Sequence, residues 1–290
     1  MTVSPIAWLA LIGAIVLLLV VDLFVVGRRG GEMSLRFASL ASVFWIAVAF
    51  AFGGVLLLFG EPAAAGDYIA GYLVEKSLSL DNVFVFLLVF GAFGIAEAER
   101  HKLLTYGIAG ALVMRAVFIV LGAAALERFS WIAFLFAALL VYTGYKMFRH
   151  RHDHDSETEL VEKLQRRLPG LKAGGAALAA IAIVDIIFAV DSVPAILAIT
   201  PVAFIVFAAN AFALLGLRPL FFLVADLVDR LYYLKTALAV LLIAIGLKMA
   251  AGELWGKIGP EYSLPGIALI LGTGVVASLV RDRRRVPAAA

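Results

Sequence analysis

Apolar windows long enough to cross the ~30 Å hydrocarbon core of a bilayer, about 20 residues as a helix, recur from one end of this chain to the other. Composition agrees: of 290 residues, 64% are hydrophobic and 16% charged, and the mean hydropathy is +1.05, unlike a soluble domain. Short alternating strands separated by turns do not occur, so an all-α polytopic membrane protein is expected rather than a barrel. Nine spans are read, at roughly residues 5–27, 37–59, 67–93, 103–125, 129–148, 173–199, 202–223, 231–250 and 264–280. The first follows "MTVSP", with no basic flank and no small-residue cleavage signal, and reads as a retained helix, not a signal peptide.

Lys and Arg set the orientation. Arg28, Arg29, Arg36, Arg100, Lys102, the loop at 149–172 and "RDRRR" at 281–285 fall on one face. The opposite connections, holding Glu61, Glu127 with Arg128, Glu253, Lys257 and Glu261, are poor in basic residues. The N-terminus is therefore expected outside and the C-terminus in the cytoplasm, with the cell's inner (cytoplasmic) membrane as the expected location. The net charge of +3 sits in the loops and gives no nucleic-acid face. With no Cys in the chain, a metal would have to be held by oxygen or imidazole. In the loop "RHRHDHDSETELVEKLQRRLPG", His150, His152, Asp153, His154 and Asp155 are competent cation ligands. Nothing spaces them on one face, so a solvated linker with a short helix near Glu159 to Arg167 is the expectation.

Two stretches repeat. "VEKSLSLDNVFVFLLVF" (74–90) aligns without a gap on "VDIIFAVDSVPAILAIT" (184–200), pairing Glu75 with Asp185, Asp81 with Asp191, Asn82 with Ser192 and Val83 with Val193. Downstream, "ALVMRAVFIV" around Arg115 resembles "LLGLRPLFFL" around Arg218, and "YTGYKMF" around Lys146 resembles "IAIGLKMA" around Lys248. Spans 3–5 thus match spans 6–8. Because the copies start three spans apart, equivalent helices cross in opposite directions, an inverted repeat of the kind found in secondary transporters. The whole chain, 1–290, reads as one membrane domain. It comprises repeats at 67–148 and 173–250, the charged loop at 149–172, and flanking helices in 1–66 and 251–290.

At 1.5 Å per residue, Asp81 lies ~21 Å and Asp185 ~18 Å into a core ~30 Å thick. A charge near the bilayer centre costs ~2.5–3.5 kcal/mol, so Glu75, Asp81, Asp185, Asp191 and Arg115 left unpaired would cost on the order of 10 kcal/mol or more. Arg115 is the one basic residue read as well inside a span; Lys146, Arg218 and Lys248 fall near span ends, where long stems snorkel. One guanidinium cannot neutralise four carboxylates, and the remainder suits a divalent cation or protons. On the alternative reading the acids and Arg115 are only helix-packing glue.

Helical geometry adds a constraint. Glu75, Ser79 and Asn82 share a face, as do Asp185 and Ser192, whereas the six-residue step to Asp81 or Asp191 turns roughly 240°. Either each motif's acids enter different surroundings or the helices unwind between them. Pro194 would free the carbonyl of Val190 in the second copy, and a break near Ser77 to Leu80 would be its counterpart in the first. The donors within the motifs, Glu75, Ser77, Ser79, Asp81, Asn82, Asp185, Asp191 and Ser192, with Asn210 beside them, are all oxygens. Such a set suits Mg²⁺, Ca²⁺ or Mn²⁺. All four histidines, His101, His150, His152 and His154, fall in expected cytoplasmic loops.

The strings "EKSLSLDNVFVF", "GALVMRAVFIVLGAAALERF", "YTGYKMF", "DIIFAVDSVPAILAIT", "NAFALLGLRPLFFL" and "YLKTALAVLLIAIGLKM" resemble the TerC family, to which Alx-type proteins belong, over about residues 5–280. The resemblance implies an integral membrane protein of a cation-exporter superfamily, linked to manganese export and, historically, to tellurium resistance. The family's acidic-motif positions fall on Glu75, Asp81, Asn82, Asp185, Asp191 and Ser192, and Asp22 in "VVDLFVV" matches an acid in its first span.

The expectation is a secondary exporter of a hard divalent cation, Mn²⁺ foremost, with Arg115 as counter-charge to the empty site and protons as a candidate driving ion. No cofactor is permanently bound, and the metal is cargo. Ser79, Val190, Asn210 and Asp22 are further candidate donors. The partners are the metal ion and the lipid bilayer, and homo-oligomers are left open. No GxxxxGK[ST] motif is present, and no span carries a Ser–His or His-rich enzyme site, so no enzyme is expected. The alternative is a membrane scaffold, assembly or tellurium-stress protein in which the acids form a structural network. Deleting 150–158 is expected to leave metal flux in cells intact; complete loss of flux would contradict the linker reading.

Overall fold

A computed structural model describes residues 3–27, 34–149, 155–168, 172–227, 232–256 and 260–285. Hydrocarbon offers a backbone amide no water to bond, so apolar stretches of this length close their hydrogen bonds internally as helices. Among the described residues every regular element is a helix: α1 (Pro5–Gly27), α2 (Leu35–Leu58), α3 (Pro62–Ala92), α4 (Glu97–Arg128), α5 (Trp131–Arg149), α6 (Asp155–Arg167), α7 (Ala173–Leu197), α8 (Ala203–Leu214), α9 (Leu217–Leu227), α10 (Leu234–Trp255) and α11 (Pro260–Arg285). Seven are long and apolar enough to cross a membrane, and α8 with α9, bent by 44° at their break, makes an eighth. α3 spans 31 residues, but Asp67, Glu75, Lys76 and Asp81 keep it from qualifying on apolarity.

Outward-facing surfaces carry exposed apolar side chains, among them Leu9, Val16, Val113, Val117 and Val120, which a bilayer accommodates. Trp131, Trp255 and Tyr262, at helix ends expected outside, are also exposed, as interfacial aromatics are. α3 lies at the centre, packed against α2, α7, α8, α9 and α11, while α4 lies along α7 and α8. α4 begins earlier than the span read at 103–125, so His101, expected in a loop, sits on a helix, buried and stacked on Phe222 at 4.6 Å.

Of the two alternatives, unwinding between the acids or different surroundings for them, the helices do not show the first. α3 runs unbroken through Glu75 to Asn82, and α7 continues past Pro194 to Leu197. The helix runs one turn past Pro194, whose carbonyl accepts from Ala198 N at 2.9 Å, although the ring removes the N–H that would bond Val190 O. The break falls instead in the span read at 202–223. Gly216 adopts φ 77 there, a conformation that disfavours side chains, and a Cβ on it would lie 2.6 Å from Trp45 Cβ. Pro219 lacks the N–H that would close a helix onto Leu215 O.

The charged connection forms α6, longer than the short helix read from the sequence, with Val161 and Leu164 buried and Gln165 Nε2 donating to Ala92 O at 2.7 Å. On its solvent face the Lys163 ammonium, 2.6 Å from Glu159, holds that carboxyl below its usual range, an exposed pair of little energetic weight. His150, His152, Asp153 and His154 lie outside the described residues, as does the side chain of Asp155.

The most extensive pairing is α5 with α10, held close by small residues. A Cβ on Gly144 would lie 2.7 Å from Ala239 O, and one on Gly246 would lie 2.8 Å from Ala137 O. Both contacts are to backbone and cannot swing aside. Gly144→Ala and Gly246→Ala are each expected to destabilise by about 1–3 kcal/mol, read as a lower thermal midpoint of the purified protein. Gly54→Ala on α2, where a Cβ meets nothing within 4 Å, should not lower it.

Candidate metal and charge centre

Arg115 is fully buried at mid-height in α4, about 20 Å from its Arg128 end. A guanidinium there must find acceptors on neighbouring helices, because its stem cannot reach water. Four residues supply them. Glu75 of α3 forms an ion pair with Nη1, and Asp185 Oδ1 of α7 accepts from Nη2 at 3.1 Å. Asn210 Oδ1 of α8 accepts from Nη1 at 2.9 Å while its amide donates to Val206 O at 3.0 Å. The hydrogen-bond network orients the Asn82 amide with its oxygen 3.1 Å from Arg115 Nη2 and its nitrogen 3.2 Å from Leu78 O.

Burial is nearly complete for all four: Glu75, Asp185, Asn82 and Asn210 are each 3% exposed or less. Glu75 lies about 20 Å from the start of α3, and Asp185, the middle residue of α7, about 18 Å from either end. The cluster therefore sits near the midplane. Two carboxylates against one guanidinium leave one negative charge when both acids are ionised. Several oxygens there keep bonding capacity: Asp185 Oδ2, Ser79 Oγ and Ser192 Oγ are buried without a hydrogen-bond partner. Ser79 lies one turn from Glu75, and Ser192 two turns from Asp185, on the same helix faces.

The other expected donors go elsewhere. Asp191 turns to α5, where Thr143 Oγ1 donates to its Oδ1 at 3.0 Å. Because α7 is continuous, the six-residue step carries Asp191 around the helix from Asp185. Val190 is 44% exposed on the outer surface of α7. The side chain of Asp81 lies outside the described residues. Among the described residues no three His, Asp or Glu side chains gather as a metal-ligand set. The four motif acids are thus not seen converging on one point.

A second buried pair was not anticipated. Arg218, expected to snorkel, is 3% exposed. Its Nη1 donates to Asp22 Oδ2 at 3.1 Å and Asp22 O at 3.4 Å, and its Nη2 donates to His101 O at 3.4 Å. It begins α9 just past the break, where the chain turns inward, and so ties α9 to α1 and α4. Asp22 serves this pair, and no contact joins it to Arg115. Thr143 was also missed, although it is the lone Ser or Thr in the apolar run before "GYKMF".

The sequence profile described as the integral membrane protein TerC family matches residues 60–286. An uncharacterized membrane protein of Myxococcus xanthus is 39% identical over 97% of this chain and 94% of its own length. The chloroplastic thylakoid membrane protein TERC of Arabidopsis thaliana is 39% identical over 81% of this chain and 66% of its own. Alx of Escherichia coli (strain K12), named as a candidate membrane-bound redox modulator, is 35% identical over 85% of this chain and 86% of its own. No solved structure matches the chain.

Removing Arg115 would leave two buried carboxylates without their cation. Arg115→Met is expected to destabilise by about 3–5 kcal/mol, and adding Glu75→Gln should recover part of that loss, because the two side chains share one interaction. Thermal denaturation of the purified single and double variants reads the difference. Strictly additive losses would contradict the pairing.

Proposed function

We propose, from the premise that this chain belongs to the TerC family of integral membrane proteins, that it is a secondary transporter exporting a hard divalent cation, Mn²⁺ foremost, from the cytoplasm. The observation that carries this reading is a fully buried arginine held by two acids and two amides at mid-height between four helices. Charged groups in such positions mark ion pathways more often than packing.

An arriving cation competes with Arg115 for Glu75 and Asp185. Asn82, Asn210 and the hydroxyls of Ser79 and Ser192 are further hard donors within the same helix faces, matching the preference of Mn²⁺ for oxygen. Arg115 is the counter-charge that makes the empty site tolerable. Asp81 and Asp191 stand on different faces and serve as approach or release carboxylates along the path. Inward protons, carried by the carboxylates as the metal leaves, are the proposed driving ion.

Alternating access follows from an inverted repeat, for which the packing supplies support. In the alignment of "YTGYKMF" with "IAIGLKMA", Gly144 corresponds to Gly246 and, seven residues earlier, Ala137 to Ala239. Each glycine meets the carbonyl of the other's partner alanine, the reciprocity expected of a pseudo-twofold axis between α5 and α10. Exchanging the repeats likewise turns the α3 contact with α8 into the α7 contact with α4. With α3 counted as a span, the proposed topology has nine, with the N-terminus outside and the C-terminus in the cytoplasm of a bacterial inner membrane; the Lys and Arg of the connections support it.

One observation favours a second reading, an assembly or scaffold protein. Arg115 already has four partners, and no three-ligand set is seen among the described residues, so the cluster could serve packing alone. A redox role of the kind in Alx's name would not run through thiols here, since the chain has no Cys. Flux of ⁵⁴Mn²⁺ in inverted vesicles, corrected for protein abundance, separates the readings. Asp185→Asn is expected to lower it about 100-fold or more, Asp81→Asn and Asp191→Asn each about 10-fold. Unchanged flux per molecule in all three would remove the site.

A further inference from the structure

Lys76 stands beside Glu75 in "EKSLSLDN", well inside the span read at 67–93, so Arg115 is not the one basic residue within a span; Lys76 has no part in the charge centre. One residue along α3 is a turn of about 100°, so Lys76 faces away from Arg115 and toward the broken span. Its Nζ donates to Ala213 O at 3.1 Å and Leu215 O at 3.5 Å. No ion pair joins it to a carboxylate among the described residues.

The acceptors explain the choice of residue. In a continuous helix Ala213 O and Leu215 O would bond the amides of residues 217 and 219. Residue 219 is a proline without an N–H, and at Gly216 the chain turns out of α8. The carbonyls at the end of α8 also carry the negative end of its dipole. An unbonded carbonyl at this depth costs several kcal/mol, and a tethered ammonium satisfies two of them.

Position then matters more than stability. Lys76 is on the helix that carries Glu75. The break it grips lies between Asn210, which holds Arg115, and Arg218, which holds Asp22 and the carbonyl of His101. We propose that Lys76 is a positioning residue of the transport site. Its ammonium ties α3 to the hinge between α8 and α9, so that displacement of Arg115 by a divalent cation is passed to α9 and to its Asp22 contact near the far end of α1. This deepens, and rests on, the transport reading.

Hydrogen exchange at residues 211–220 of the full chain in lipid nanodiscs, with and without MnCl₂, tests it beside Mn²⁺ flux. Wild type and Lys76→Arg should each change exchange on adding MnCl₂. Lys76→Met should exchange about 10-fold faster without metal and show no response to it. Per folded molecule its maximal flux should fall about 10-fold, with half-saturation within about twofold of wild type. If Lys76→Met is not recovered folded, Lys76→Gln, which keeps a donor but no charge, should fall between it and wild type. Wild-type exchange, metal response and maximal flux in Lys76→Met, or in Lys76→Gln where that stands in, overturn the proposal. Failure of the transport reading looks different: wild type carries no Mn²⁺, while Lys76→Met still loosens the break.

Discussion

A guanidinium held at mid-height in a bilayer has to be surrounded by acceptors, and in this fold that requirement organises the centre. Arg115 draws Glu75 from α3, Asp185 from α7, and amides from α3 and α8 to one point. Each partner would be costly alone, and each is made tolerable by the same cation. The supporting helices meet directly, α3 against α7 and α8 and α4 against the same two, which keeps them close enough for this to occur. The cluster is nonetheless short of positive charge, which is the condition under which a second cation is welcome.

A second requirement is that something nearby can move. The span formed by α8 and α9 is bent by 44° between Asn210, which holds Arg115, and Arg218, which holds Asp22. Irregular backbone at membrane depth is tolerated only where protein or a cavity satisfies it, and Lys76 does so here. The two buried arginines, equivalent in the internal alignment, therefore sit on either side of one hinge. One is anchored at the centre and the other at the outer helix α1, so a change at the first has a mechanical route to the second.

Much of this was legible in the sequence because charge stands out against apolar residues. Glu75, Asp185, Asn82, Asn210 and Arg115 were all named from the chain, and the structure gathers these five. The direction of Asp191 followed from the 240° step, once α7 proved unbroken. Other features were hidden for physical reasons. Pro194 suggested a break, but α7 continues one turn past it, whereas Gly216 with Pro219, two ordinary-looking residues in "LGLRP", bend the chain where both act together. Arg218 looked peripheral because a hydropathy window cannot know that α1 brings a carboxylate to meet it. Lys76 was visible in the motif, yet its partners are backbone carbonyls, which no side-chain pattern announces.

The central claim is that Arg115 and a divalent cation are alternative occupants of the same carboxylates. Thermal denaturation of purified wild type and Arg115→Met across a MnCl₂ titration tests it most directly, since at a given concentration a ligand stabilises the folded state more the tighter it binds. The account predicts that Mn²⁺ raises the midpoint of Arg115→Met more than that of wild type, the metal taking the place of the missing guanidinium. An equal shift in both proteins, or none in the variant, would contradict it.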